Sequence, residues 1–96
     1  MQSRLYPVDV ICVCRADGNI RPLRIQVEDN SHMARRVDIQ QVIDHRQLRY
    51  AGIEAHIFLC QALWDNRPWF FELKYNIAGH NWHLMEIEGS PNGEIF

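Results

Sequence analysis

The run Val8-Asp9-Val10-Ile11-Cys12-Val13-Cys14-Arg15-Ala16-Asp17-Gly18-Asn19-Ile20-Arg21-Pro22-Leu23-Arg24-Ile25-Gln26-Val27 decides how this chain is read. On both sides of Ala16-Asp17-Gly18-Asn19 the apolar residues recur at every second position, the period of a half-buried strand. Asp-Gly accepts the two positive φ angles of a type I′ turn, so the run predicts an antiparallel hairpin. Pairing Ala16 with Asn19 sets Val8 against Val27, Val10 against Ile25 and Cys12 against Leu23, which makes one face apolar throughout. Pro22 then opposes Val13 at a non-hydrogen-bonded pair, which puts the second strand at a sheet edge near Pro22.

A second hairpin lies further along, with Trp64 and Trp69 flanking the loop Asp65-Asn66-Arg67-Pro68. It pairs Ala62 with Phe71, Cys60 with Leu73 and Phe58 with Tyr75, an apolar and aromatic core wall. The opposite face mixes Ile57, Leu59, Leu63 and Phe70 with Gln61, Glu72, Lys74 and Asn76, and is read as a far side of the core closed by the middle segment. After a turn at residues 77–81, a last strand begins at Trp82 and brings Trp82 and Leu84 beside Tyr75 and Leu73. In the middle segment, residues 36–43 read as a strand. Asp44 with Gln47 three residues on, and Gly52 as terminator, predicts a helical turn over residues 45–51. Residues 89–96, with two glycines and a proline, read as a mobile tail.

Sixteen valines and isoleucines and no threonine in 96 residues agree with strands throughout. The expected fold is all-β with at most one short helix: five to six strands built from consecutive hairpins into a bent sheet or a barrel in the SH3-like or OB-like range. One domain with its core over about residues 5–88 accounts for the whole chain. No run of apolar residues approaches the roughly 18 that a membrane helix needs, so a cytoplasmic protein with no membrane partner is expected. Three cysteines are too few for a disulfide framework and fit free thiols in a reducing compartment.

Cys12 and Cys14 with His80 and His83 offer zinc-type donors, but the hairpin register turns both cysteines toward the core, and no metal or cofactor is expected. His56 and Cys60 share a strand face four residues apart, roughly 13 Å, too far for a nucleophile and its base. With no glycine-rich phosphate loop and no nucleophile elbow, no catalytic residue is assigned and an enzyme is not expected. Residues 1–49 hold eight arginines against six acids, and residues 50–96 hold Arg67 and Lys74 against six acids, for a net charge of −2. The candidate binding residues are Arg21, Arg24, Arg35, Arg36, Arg46, Arg49 and Tyr50, side chains suited to phosphate, carboxylate and stacking contacts. The leading expectation is a non-enzymatic binding module that engages a protein or RNA partner through this Arg-rich surface. The alternative is a structural or homo-oligomerisation domain, a homodimer through the aromatic hairpin face.

Overall fold

The computed structural model describes residues 5–28 and 31–88; the segment read as a mobile tail lies outside them. They contain seven strands and no helix: β1 (Tyr6–Pro7), β2 (Asp9–Cys14), β3 (Ile20–Glu28), β4 (Ala34–Tyr50), β5 (Ile53–Trp64), β6 (Arg67–Asn76) and β7 (Asn81–Glu88). All pairings are antiparallel, in the order β1-β7-β6-β5-β4-β3-β2. The expected all-β class is found, with one strand more than the upper expectation and without the helical turn. The sheet curls into a half-barrel, and its two ends are consecutive in the chain: β1 lies on β7 and β2 on β3. Val8 stands between them and donates its N–H to Trp82 O at 3.3 Å.

With no helix to cover it, the apolar face of such a sheet is buried only by curving onto itself. The core is therefore the concave face: Phe58, Cys60, Ala62 and Trp64 of β5, Trp69, Phe71 and Leu73 of β6, Leu84 of β7, and Ile25, Val27 and Val37 from the other arm. No polar or charged residue is buried among the described residues, although the indole N–H of Trp69 has no hydrogen-bond partner.

β4 does most of the bending. Its first part pairs with β3, ending at Asp38↔Arg24, and its remainder pairs with β5 from Ile39↔Ala62 to Tyr50↔Ile53. Register shifts at Gln40 and Ile43 give β4 two extra residues within four positions. Such bulges bend a strand and increase its twist. They also explain why Ile43, alternating with Val37 and Ile39 in sequence, is exposed while Val42 packs against the core.

The first hairpin keeps the expected register at Val10↔Ile25 but slips by one nearer the turn, where Cys12 faces Pro22 and Cys14 faces Ile20. Gly18 alone takes a positive φ (91°), and Arg15 N–H donates to Asn19 O at 2.8 Å. The loop is thus one residue longer than a type I′ turn, and Leu23 absorbs the difference as a bulge residue. Pro22 does lie where β3 has β2 as its only ladder neighbour. The second hairpin closes at Trp64↔Arg67 with Asp65 and Asn66 both left-handed, so its loop has two residues and not four. The shift of two residues leaves every side chain on its face: Ala62 meets Trp69, Cys60 meets Phe71 and Phe58 meets Leu73. Tyr75↔Trp82 and Leu73↔Leu84 are as expected.

The predicted helical turn over residues 45–51 is replaced by strand. Ala51 (φ 51°) and Gly52 (φ 81°) form a two-residue turn of type I′ angles, so Gly52 closes a hairpin and does not stop a helix. Helix-forming residues give way here because β5 supplies a full ladder of partners. The middle segment does not close the opposite face over Leu59 and Phe70: β4 runs beside β5 in the sheet and both stay half-exposed on the convex side, while Ile57 of the same face is buried.

Ala51 carries a Cβ in the left-handed region, where Asn is better tolerated. Ala51→Asn is expected to stabilise the fold by about 0.5–1 kcal/mol, raising the melting temperature by roughly 2–8 °C in calorimetry.

Candidate functional site

Among the described residues β4 has no ladder partner on the β3 side beyond Asp38, and its last stretch forms with the start of β5 an edge hairpin, the arm, that ends at Ala51-Gly52 while β5 stays paired with β6 from Ala55↔Asn76 onward. Tyr50↔Ile53 closes a two-residue loop and is therefore a hydrogen-bonded pair, so Leu48 and Arg46 also bond to β5. The N–H and C=O groups of His45, Gln47 and Arg49 consequently point away from β5, to the open edge. Every β4 residue from Ile43 to Tyr50 is exposed.

The arm has two unlike faces. Leu48, Tyr50 and Ile53 stand on the convex side, 42%, 74% and 48% exposed, an apolar patch at the tip. Arg46 shares that side and reaches across β5 to Glu72 of β6 at 3.5 Å. Arg49 projects on the concave side and pairs with Glu54 at 3.2 Å.

The concave side also carries a chain of rings at the base of the arm. His45 stacks on Phe58 with centroids 4.4 Å apart, and its Nε2 lies 2.9 Å from His56 Nδ1. Phe58 leads to Trp82 at 5.8 Å and Trp82 to Tyr75 at 4.8 Å, and the Tyr75 hydroxyl lies 3.2 Å from His80 Nδ1. On one side of this chain, where β3 and β4 diverge, lies a cleft of about 370 Å³ between Ile20, Arg21, Gln41 and His45. On the other, Trp82 borders a wider hollow of about 790 Å³ with Val8, Val27 and Glu28.

Partial burial and the neighbouring His45 lower the pKa of His56, which favours the neutral ring. Burial, helped by the charge of Glu72, pushes the Cys60 thiol up to about 12. Cys60 is therefore a protonated core residue that donates to Phe58 O at 3.6 Å, with no thiolate to offer beside His56. Burial and the adjacent Cys14 raise the pKa of Cys12 as well. No group of three or more His, Cys, Asp or Glu side chains gathers to hold a metal among the described residues.

The seven residues singled out in the sequence occupy several surfaces. Arg24 pairs with Asp38, and Arg36 lies beside it in the same β3–β4 ladder, opposite Gln26. Arg35, its neighbour in a strand, points to the other face, stacks over Trp64 at 4.2 Å and pairs with Asp65 at 3.0 Å. Arg21 lies at the cleft, and Arg46, Arg49 and Tyr50 lie on the arm. The ring chain and the open β4 edge were not singled out. The available clue to the edge was Ala51-Gly52 flanked by Tyr50 and Ile53, a hairpin spacing.

No protein-family model, curated protein or solved structure matched the chain. No helix among the described residues is long and apolar enough to cross a membrane.

Two measurements follow from these environments. In the native protein Cys14 is expected to react first with a disulfide reagent, Cys12 more slowly, and Cys60 only on unfolding. Because the folded state favours neutral His56, the unfolded chain binds more protons once the pH falls below the ordinary histidine value of 6.5. Denaturant stability is thus expected to hold above that pH and to fall as the pH drops from it toward the lowered pKa, and His56→Gln to flatten the decline.

Proposed function

We propose that this chain is a protein-binding module that takes an extended segment of its partner as an added strand along the open edge of β4. One observation carries the reading: among the described residues, the main-chain groups of His45, Gln47 and Arg49 have no ladder partner on that edge, beside the exposed Leu48 and Tyr50. Natural sheets protect such edges with shortness, proline, lysine or bulges. Residues 44–50 have no proline or lysine, the two bulges of β4 lie before them at Gln40 and Ile43, and the charges that could guard the edge are Asp44, Arg46 and Arg49. The arginines that would repel an incoming strand are drawn to Glu72 and Glu54 of the same chain.

Strand addition draws its affinity from main-chain hydrogen bonds and its selectivity from alternate side chains. Leu48, Tyr50 and Ile53 offer apolar contacts on the convex side, and the ring chain offers stacking on the concave side. Of the seven sequence candidates, Arg46, Arg49 and Tyr50 belong to this surface. An RNA partner gains less support, since Arg24, Arg35, Arg46 and Arg49 each have a carboxylate partner and do not share one face.

The test is selection from a random dodecapeptide library against the native chain and against Gln47→Pro. Proline removes an outward N–H and sets its ring in the path of an added strand, while leaving the ladder to β5 intact. Enriched peptides should alternate apolar and polar residues and lose at least about tenfold in affinity for Gln47→Pro, or for Leu48→Lys if the proline variant melts early. Failure to enrich any peptide on chain that is monomeric during the selection, or equal affinity of the native chain and Gln47→Pro for the enriched peptides, overturns the reading. Salt-dependent binding of a single-stranded RNA oligomer in place of peptide would transfer the function to nucleic acid.

A further inference from the structure

We infer that the strand taken up by the β4 edge is β4 of a second copy of this chain, antiparallel to the first about a two-fold axis at Leu48; the inference rests on the strand-addition reading. The outward main-chain groups belong to alternate residues, His45, Gln47 and Arg49. A continuous sheet also needs convex residues opposite convex and concave opposite concave. A two-fold register meets both conditions only when its axis passes through a residue of β4, which leaves few choices.

Charge and the bulge at Ile43 decide among them: an axis at His45 pairs Arg46 with Asp44 but sets Gln47 and Leu48 of the second copy against the bulged Ile43 and Val42, where the ladder is broken. With the axis at Leu48, the two Leu48 side chains face each other, and Arg46 of each copy, its guanidinium turned to its own Glu72, stands opposite the uncharged Tyr50 of the other. On the concave side Gln47 faces Arg49, and both Gln47–Arg49 pairs exchange main-chain hydrogen bonds. No like charges are directly opposed. An axis at Arg46 or at Arg49 sets two guanidinium groups face to face, and one at Gln47 sets Asp44 against Tyr50 and His45 against Arg49. The Leu48 register also ends the second strand beside His45, short of the diverging β3–β4 cleft at Gln40 and Gln41. It covers Leu48 and Tyr50, two of the large apolar side chains left exposed on the arm.

The experiment combines sedimentation with cross-linking. The native chain is expected to sediment at twice its 11.4 kDa in the micromolar range and Gln47→Pro as a monomer with a native melt. In a background with Cys12 and Cys14 changed to serine, Leu48→Cys sits at a non-hydrogen-bonded pair, where Cα atoms approach to about 4.5 Å, and copper-phenanthroline should oxidise it to a covalent dimer. Arg46→Cys, two residues from the axis on each strand and so roughly 13 Å from its copy, should stay monomeric under the same oxidation. A dimer that survives Gln47→Pro, or that cross-links through Arg46→Cys and not Leu48→Cys, overturns the inference. A native chain that stays monomeric to millimolar concentration overturns it too. In that last case, retained peptide capture along β4 would leave the strand-addition reading standing, and loss of both would remove the two together.

Discussion

A single antiparallel sheet with no helix to cover it, as among the described residues here, can keep its apolar face from water only by curving that face onto itself, and the rest of this structure depends on that constraint. The N-terminal segment serves both ends of the curved sheet, laying β1 on β7 and β2 on β3 with Val8 between. The bulges at Gln40 and Ile43 supply curvature where the chain passes from one arm to the other. Trp69, Phe71, Phe58 and Leu73 fill the enclosed space, and each buried side chain of this size is worth roughly 1.5–3 kcal/mol.

The curvature and the candidate site share one cause. β4 is shared between two arms that bend apart, so it cannot pair with β3 and β5 over the same residues. Where it follows β5 it must leave β3, and the main-chain groups of His45, Gln47 and Arg49 face outward as a result. The ring chain from His45 to Trp82 has the same origin, since it lines the concave face at the open end, where the core runs out of apolar side chains to cover it. Strand edge and apolar tip lie on one arm and the ring chain starts at its base and runs across β6 and β7, the juxtaposition from which strand addition is proposed.

Much of the architecture was legible in the residues. Period-two alternation marked six of the seven strands, β4 only over residues 36–43, and the apolar partners Val10–Ile25, Tyr75–Trp82 and Leu73–Leu84 follow from it. The second hairpin shows why faces are easier to read than registers. Moving its loop from four residues to two changed every partner of β5 and left every side chain on its side, because a two-residue shift preserves strand parity. Residues 44–50 were not legible as strand because both faces of the arm are exposed, which erases the alternation, and Gln47, Leu48 and Arg49 favour helix. The arginines were identifiable as candidates, but order along the chain does not say which sheet face each side chain takes. Arg35 and Arg36 are adjacent in sequence and point to opposite faces.

By itself, then, the sequence determined an all-β chain, the turns near residues 16–19, 65–68 and 77–81, and which side chains of β5, β6 and β7 share a face, because these follow from local backbone preference and a two-residue period. Only the tertiary structure decided that residues 45–51 extend, that β4 changes neighbours, and that its far edge stays open. Those outcomes come from competition between β3 and β5 for one strand under the curvature that burial imposes, and no local pattern carries a record of it.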